Sequence, residues 1–249
     1  MAREYVHDVF EDIAELYDDG DERISLGLHR EWKRHVDLAV LPATMCSEPG
    51  IVLDVCCGTG DVTEHIARNN PGVLVVGIDF SEHMLAVCRK RTEDLENVLL
   101  VEGDAMHLPF DDATFDASCI SFGLRNVADY AQVLREMKRV TRPCGAVACL
   151  DASVPDNPFV VPFYQVYYKY VMTLLGGGVK YRRQYDWLYK STQEFLRKDE
   201  LAALFAEVGL RYVDVHPFMM GAAALHTGHV PPAAGPEESP CGRCAAGSR

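Results

Sequence analysis

Hydrophobic and polar positions change period along the chain, and the changes divide it. Residues 5–41 carry helical spacing with a break at DDGD (18–21). Val9, Ile13 and Leu16 share one stripe; Leu28, Trp32, Val36 and Val40 share the next. Pro42 to Gly50 reads as a loop. From residue 51, short apolar runs alternate with helical stretches. IVLDV (51–55), LVVGID (74–79), NVLLVEG (97–103), FDASCISFG (115–123) and AVACLD (146–151) read as strands. Helices are expected over 61–69, from an N-capping Ser81 onward, and over 128–141. Strands this apolar, each followed by a helix, imply a parallel sheet covered on both faces.

Beyond residue 155 the pattern differs. Residues 158–175 are apolar nearly all round, interrupted by Gln165 and Lys169 and stopped by Gly176, Gly177 and Gly178. The stretch is too short and polar to span a bilayer and too apolar for a surface helix, so something must cover it. An amphipathic helix follows over 198–208, with Gly209 as its stop. RYVDVHPF and MMGAAALHTG (211–228) read as a closing hairpin, and the Pro/Gly/Ala-rich tail from Val230 as disordered. The organisation expected is one domain over 1–229, with a helical lid over 1–48, an apolar cover over about 155–195, and a tail over 230–249.

Composition narrows the function. At 249 residues, 48% hydrophobic and 24% charged, the chain can bury a core without metal or disulfide staples. A net charge of −13 sets it against nucleic acid, whose phosphates would repel it. Nine cysteines, an odd number, and a start (MAREYVHDVF) without an apolar leader core point to a reducing cytoplasm.

Four features fall at the carboxyl ends of expected strands, where open α/β sheets bind ligands. DVCCGTGD (54–61) offers Asp54, Gly58, Thr59 and Gly60 on a loop that opens a helix. Asp79, at the tip of the next strand, suits a ribose diol, and with Ser81 as the cap it is left for a ligand. Asp104 and the Ala105 amide, in GDAMHLPF, suit an adenine edge. SFGLRNV (121–127) follows the fourth strand. The plainer readings are a tight turn for the glycine loop, a helix cap for Asp79 and a solvated loop acid for Asp104; the agreement of the four features carries the argument. Threonine at 63, where a dinucleotide fingerprint has glycine, leaves an adenosine ligand other than NAD.

DVCCGTGD, GIDFSEHML, the loop with LPF and FD, and LREMKRVTRPCG resemble class I S-adenosylmethionine-dependent methyltransferases. SLGLHREWK (25–33), SFGLRNV, YDWLYKS (185–191) and AALHTGH (223–229) resemble, more narrowly, the menaquinone/ubiquinone-biosynthesis C-methyltransferases. The likeness spans residues 5–229. It implies a Rossmann-like α/β fold with a seven-stranded, mostly parallel sheet, helices on both faces and an N-terminal helical lid. It also implies that Thr59, Asp79, Asp104 with Ala105, and Ser121 contact S-adenosylmethionine. Two departures stand out: Pro143-Cys144-Gly145 replaces Pro-Gly-Gly, and Tyr17-Asp18-Asp19-Gly20-Asp21 has Asp where the family has Asn.

The implied reaction moves a methyl group to a ring carbon of a polyprenylated quinol. Demethylmenaquinol is favoured because DVCCGT resembles the menaquinone branch. A ring carbon becomes nucleophilic once a neighbouring hydroxyl is ionised, and a phenol of pKa ~10 needs help to ionise at neutral pH. Arg125 is the expected charge, Asn126 the group that positions substrate or water, His29 the candidate base and Tyr17 the second. The plainer alternatives are an Arg125 that merely pairs with a carboxylate and a His29 on a helix surface. Phe163, Tyr164, Tyr167, Tyr168 and Tyr170 would line a prenyl channel, with segment 158–178 touching the inner membrane face. His226 and His229 with Cys241 and Cys244 have zinc-ligand types, but His226 falls in an expected strand and the tail in disorder, so no metal is expected. A homodimer is left open. The rival readings are a methyltransferase for another lipid or phenol, and a non-catalytic cofactor-binding scaffold.

Overall fold

The computed structural model describes residues 29–45, 47–157, 159–166 and 189–233. In chain order the elements are α1 (His29–Thr44), β1 (Gly50–Val55), α2 (Asp61–Asn69), β2 (Val73–Asp79), α3 (Glu82–Arg91), β3 (Val98–Glu102), β4 (Phe115–Ser121), a 3-10 turn (Leu124–Asn126), α4 (Tyr130–Val140) and β5 (Thr141–Ala152). They continue with α5 (Val161–Val166), α6 (Lys198–Glu207), β6 (Arg211–Phe218), a second 3-10 turn (Met219–Gly221) and β7 (Ala223–His229).

One seven-stranded sheet runs in the order β3-β2-β1-β4-β5-β7-β6. The first five strands pair in parallel. β7 pairs antiparallel with both β5 and β6, so the closing hairpin tucks its second strand inside. Strand order reverses between β1 and β4, which opens a crevice at their carboxyl ends. The expected fold is borne out.

The pleat sends alternate residues to opposite faces. Leu53, Val55, Val76, Val147 and Cys149 meet Leu134 and Met137 of α4 and Leu201 and Phe205 of α6. Val52, Val75, Ala117 and Ala148 meet Trp32, Val36 and Val40 of α1 and Val62 and Ile66 of α2. The edge strands are less covered: Leu99 of β3 is 53% exposed.

Three boundaries differ from expectation. α1 continues through Pro42 to Thr44, because the buried series Trp32, Val36, Val40 and Thr44 keeps one stripe against the sheet. Exposed Pro42 sits on the solvent side of that last turn. α4 starts later than expected, where Asp129 accepts from Gln132 N at 2.9 Å. β5 is longer, 12 residues: it begins at Thr141 opposite Phe115 and passes Cys144 at φ 65 before settling into register. Ser81 caps α3 as expected, accepting from Met84 N at 3.2 Å. Of the expected lid, residues 29–44 form α1, which lies on a face of the sheet against β4 and β5; residues 1–28 lie outside the described residues. Most of the apolar cover, and the tail from residue 234, lie outside them too. No helix among the described residues is long and apolar enough to cross a membrane.

Candidate active site

The loop after β1 departs from strand geometry in a way glycine permits. Cys56, Gly58 and Gly60 all have left-handed φ, at 54, 55 and 83°. A Cβ at Gly60 would collide with the Cys88 sulfur, so that glycine lets α2 close on α3. At Gly58 a Cβ would meet nothing within 4 Å. That side of the loop faces open space at the start of α2, whose N-cap Gly60 offers no side chain. The loop's own Gly58 and Gly60 N–H groups are already bonded, to Asp79 and to the Cys57 carbonyl.

Asp79 reaches across from β2 to hold this loop. Its Oδ2 accepts from Gly58 N at 2.9 Å and its Oδ1 from Ser81 N at 3.0 Å. The expectation of a carboxylate left for a ligand is therefore corrected: both oxygens are engaged, Phe80 N–H donates a third bond, and one lone pair remains. Burial pushes this carboxyl above its ordinary pKa, against the pull of those backbone N–H groups. Asp104 similarly shapes its own turn, with Oδ1 accepting from Met106 N at 3.0 Å. α4 pins the rest of that loop: Gln132 donates to the Met106 carbonyl, and Glu136 accepts from Leu108 N. Ala105 is 8% exposed and Thr59 is buried.

Asp54 does not join this group. Its side chain is buried on the α2 face, where Thr63 donates to Oδ2 at 2.7 Å and the Cys119 thiol lies 3.7 Å from Oδ1. Desolvation lifts it to a pKa of about 7, the Thr63 bond opposing. The pleat explains the error: Val52, two residues earlier, belongs to the same face.

At the ends of β4 and β5 the polar groups are arranged differently. The Arg125 guanidinium is buried against Asp151, with Nη1 2.5 Å from Oδ1 and the Arg125 amide donating to Oδ2 at 3.2 Å. Nη1 also donates to the Phe122 carbonyl at 2.8 Å, as does Asn126 Nδ2 at 3.3 Å. Ser121 Oγ and Asn126 Oδ1 are buried with no hydrogen-bond partner among the described residues, as is Ser153 Oγ just past β5. Sequence reasoning missed Asp151; the available signal was an acid closing an otherwise apolar strand.

His29 starts α1, one turn before Trp32, whose ring lies 5.7 Å from that of Phe122. α1 thus begins near the β4 tip and ends by Gly50, at the opposite end of the sheet. Tyr17, Tyr167, Tyr168 and Tyr170 lie outside the described residues; of the aromatic run, Tyr164 is buried on α5. His226 donates from Nε2 to the Lys198 carbonyl at 2.7 Å, and burial lowers its pKa. Cys241 and Cys244 fall outside the described residues.

The sheet order, the glycine loop and the acidic strand tips define a class I S-adenosylmethionine-dependent methyltransferase. The S-adenosylmethionine-dependent methyltransferase of Aquifex aeolicus superposes with a TM-score of 0.55 at 18% identity, over 78% of this chain and 92% of its own. The CurJ carbon methyltransferase does so at 0.55 and 14%, over 74% and 49%. At those identities the likeness is one of fold. Sequence goes further. The profile of the ubiE/COQ5 methyltransferase family matches residues 1–230. The demethylmenaquinone methyltransferase of Staphylococcus aureus (strain JH9) is 44% identical over 231 residues, 91% of this chain and 93% of that protein. The chain belongs to the ubiE/COQ5 methyltransferase family.

Proposed function

We propose that the chain methylates a ring carbon of a polyprenylated quinol, demethylmenaquinol first, using S-adenosylmethionine. The observation that carries the substrate is the 44% identity to a demethylmenaquinone methyltransferase over nearly the full length of both chains. The cofactor fits the open face of Gly58, the one remaining lone pair of Asp79 and the unpartnered Ser121 Oγ. When bound, it supplies an electrophilic methyl group as a sulfonium.

The chain's own groups do the rest. The Gly58 loop, Asp79, Asp104 and Ala105 hold the adenosyl end. Asn126 Oδ1 accepts from the ring hydroxyl next to the carbon to be methylated, filling a need that the fold leaves open. The charge of Arg125 is balanced by Asp151, so it acts on a developing phenolate by aimed N–H donation within a preorganised pair. The proposed proton acceptor is the His29 imidazole, with the Tyr17 phenol second; support for His29 is that α1 starts on the same side as the β4 tip. Burial of the Arg125–Asp151 pair keeps water from competing.

The same reading gives the chain a peripheral contact with the cytoplasmic face of the membrane, where a prenyl tail resides. Its support is apolar exposure near the carboxyl end of β5: Phe159 is 83% exposed, and Met220, in the β6–β7 turn, 77%. Phe159→Asp with Met220→Asp is expected to weaken co-sedimentation with lipid vesicles and to raise KM for long-chain substrate alone; unchanged binding and KM would refute the contact. The decisive assay for the reaction uses purified protein, labelled S-adenosylmethionine and reduced demethylmenaquinone, with mass spectrometry to locate the label. A ring-carbon label is expected. Binding without S-adenosylhomocysteine formation would instead mark a scaffold.

A further inference from the structure

A series of ring contacts runs from the outer face of the sheet to the side chains assigned to the substrate. His35 of α1 stacks on His216 of β6 with centroids 4.7 Å apart. Both rings meet Phe218, at 5.0 and 4.8 Å. Phe218 meets Trp32 at 6.0 Å, and Trp32 meets Phe122 at 5.7 Å. The Arg125 guanidinium carbon then lies 5.6 Å from the Phe122 ring centroid.

Phe122 is the residue on which this series acts. It holds a left-handed backbone, φ 55°, which a bulky side chain adopts only when its surroundings impose it. Two contacts do so: its N–H donates to the Leu150 carbonyl at 2.7 Å, and the buried indole of Trp32 lies against its ring. Its carbonyl is the acceptor shared by Arg125 Nη1 and Asn126 Nδ2. If φ relaxed toward the right-handed region, that carbonyl would turn and release both side chains. Of the groups assigned to the cofactor, Gly58 follows β1 and Asp79 ends β2, and Ser121 is held opposite Leu150 by the β4–β5 ladder, upstream of the Phe122 φ.

We propose that Trp32 is a positioning residue for methyl transfer: wedged between Phe218 and Phe122, its indole keeps Phe122 left-handed and thereby aims Arg125 and Asn126. The proposal rests on the assignment of Arg125 and Asn126 to the substrate under the proposed function. An indole that merely fills the core would affect stability and every ligand alike; a wedge acts on turnover and leaves cofactor affinity alone.

A double-mutant cycle on the full chain tests it, using Trp32→Ala, Phe122→Gly and the pair, with Trp32→Phe as the conservative variant. The readouts are kcat and KM for reduced demethylmenaquinone, the calorimetric Kd for S-adenosylmethionine, and Tm. Trp32→Ala is expected to lower kcat by about 10- to 100-fold, the scale of a misaimed catalytic group, with the cofactor Kd within about twofold. Trp32→Phe recovers most of the loss. Glycine holds a left-handed φ without a wedge, so in the Phe122→Gly background the loss of Trp32 has no further effect on kcat. The proposal is overturned if folded Trp32→Ala keeps wild-type kcat, if the two losses multiply, or if cofactor Kd worsens in step with kcat. Should Trp32→Ala fail to fold, Trp32→Leu goes through the same cycle against the same criteria. Arg125→Lys separates the two levels. If it leaves kcat unchanged, the substrate assignment falls and the wedge with it; if it lowers kcat while Trp32→Ala does not, only the wedge falls.

Discussion

The two halves of the crevice treat their polar groups in opposite ways. On the β1–β2–β3 side, three carboxylates are at work within the protein: Asp79 clasps Gly58, Asp104 closes its own turn, and Asp54 bonds Thr63. On the β4–β5 side, a buried ion pair stands beside buried oxygens of Ser121, Asn126 and Ser153 that have no partner among the described residues. A buried polar atom without a partner costs free energy, typically ~1–3 kcal/mol, until something supplies the hydrogen bond. The first side is therefore built in advance and the second is completed by what binds. Under the proposed function the fixed mould takes the adenosyl end, while Ser121 is satisfied only by the cofactor and Asn126 only by the substrate's hydroxyl.

The largest test of this contrast is Asp151→Ala. It leaves the Arg125 guanidinium buried without its carboxylate, a change that costs about 3–5 kcal/mol. A fall in Tm and loss of turnover are expected together. Replacing both partners, as Arg125→Met with Asp151→Leu, is expected to restore Tm but not turnover, because an apolar pair of similar volume fills the space without donating to a phenolate. If the double variant were active, the pair would be structural and the second half of the crevice would be no different from the first.

Next in size is a pH effect confined to the cofactor side. The folded-state pKa of Asp54 is raised to about 7, above its unfolded value. The native chain therefore holds this proton where the unfolded chain has lost it. The contribution is fully present below pH ~4 and is lost as pH rises through about 7, on the order of 3–4 kcal/mol in all. Asp54→Asn removes this term, so the mutant's Tm should fall less than the wild type's between pH 5 and 8. Parallel profiles would mean that Asp54 is solvated and reaches the ligand after all.

How much of this was legible in the sequence follows the range of the signals. The glycine loop, the Ser81 cap and the acidic strand tips are local patterns, and the fold places them together at the carboxyl ends of β1, β2 and β3. Asp54 was assigned to the ligand because it ends a strand motif; counting the pleat from Val52 would have turned it inward. The spacing Trp32, Val36, Val40, Thr44 would likewise have carried α1 past Pro42 had the proline not been read as a stop. An acid closing an apolar strand marked Asp151, but neither its pairing with Arg125 nor the Trp32–Phe122 contact had a local signal. They join elements 26 or more residues apart, and they exist only because β5 pairs beside β4 and α1 crosses that face.

Ser121→Ala gives a finer test of the β4–β5 half of the crevice. Deleting an oxygen that has no partner removes a cost, so Tm should hold or rise slightly, while affinity for S-adenosylmethionine falls by about tenfold, the value of one hydrogen bond. A drop in Tm would mean that the hydroxyl is bonded within the fold.

The sharpest separation of fold from ligand comes from the two glycines of the loop. Gly58→Ala and Gly60→Ala both place a Cβ on a left-handed residue, each at about 1 kcal/mol. At Gly60 the methyl group also meets the Cys88 sulfur, so that variant should lose further stability as α2 is forced from α3. At Gly58 nothing lies within 4 Å, so stability should fall by the backbone cost alone. Its methyl group projects into the space assigned to the cofactor, and S-adenosylmethionine affinity should drop well beyond what the stability change explains. Calorimetry beside thermal melts on both variants measures this. Equal affinity in wild type and Gly58→Ala would move the cofactor off the glycine loop and remove the prebuilt half of the crevice from the argument.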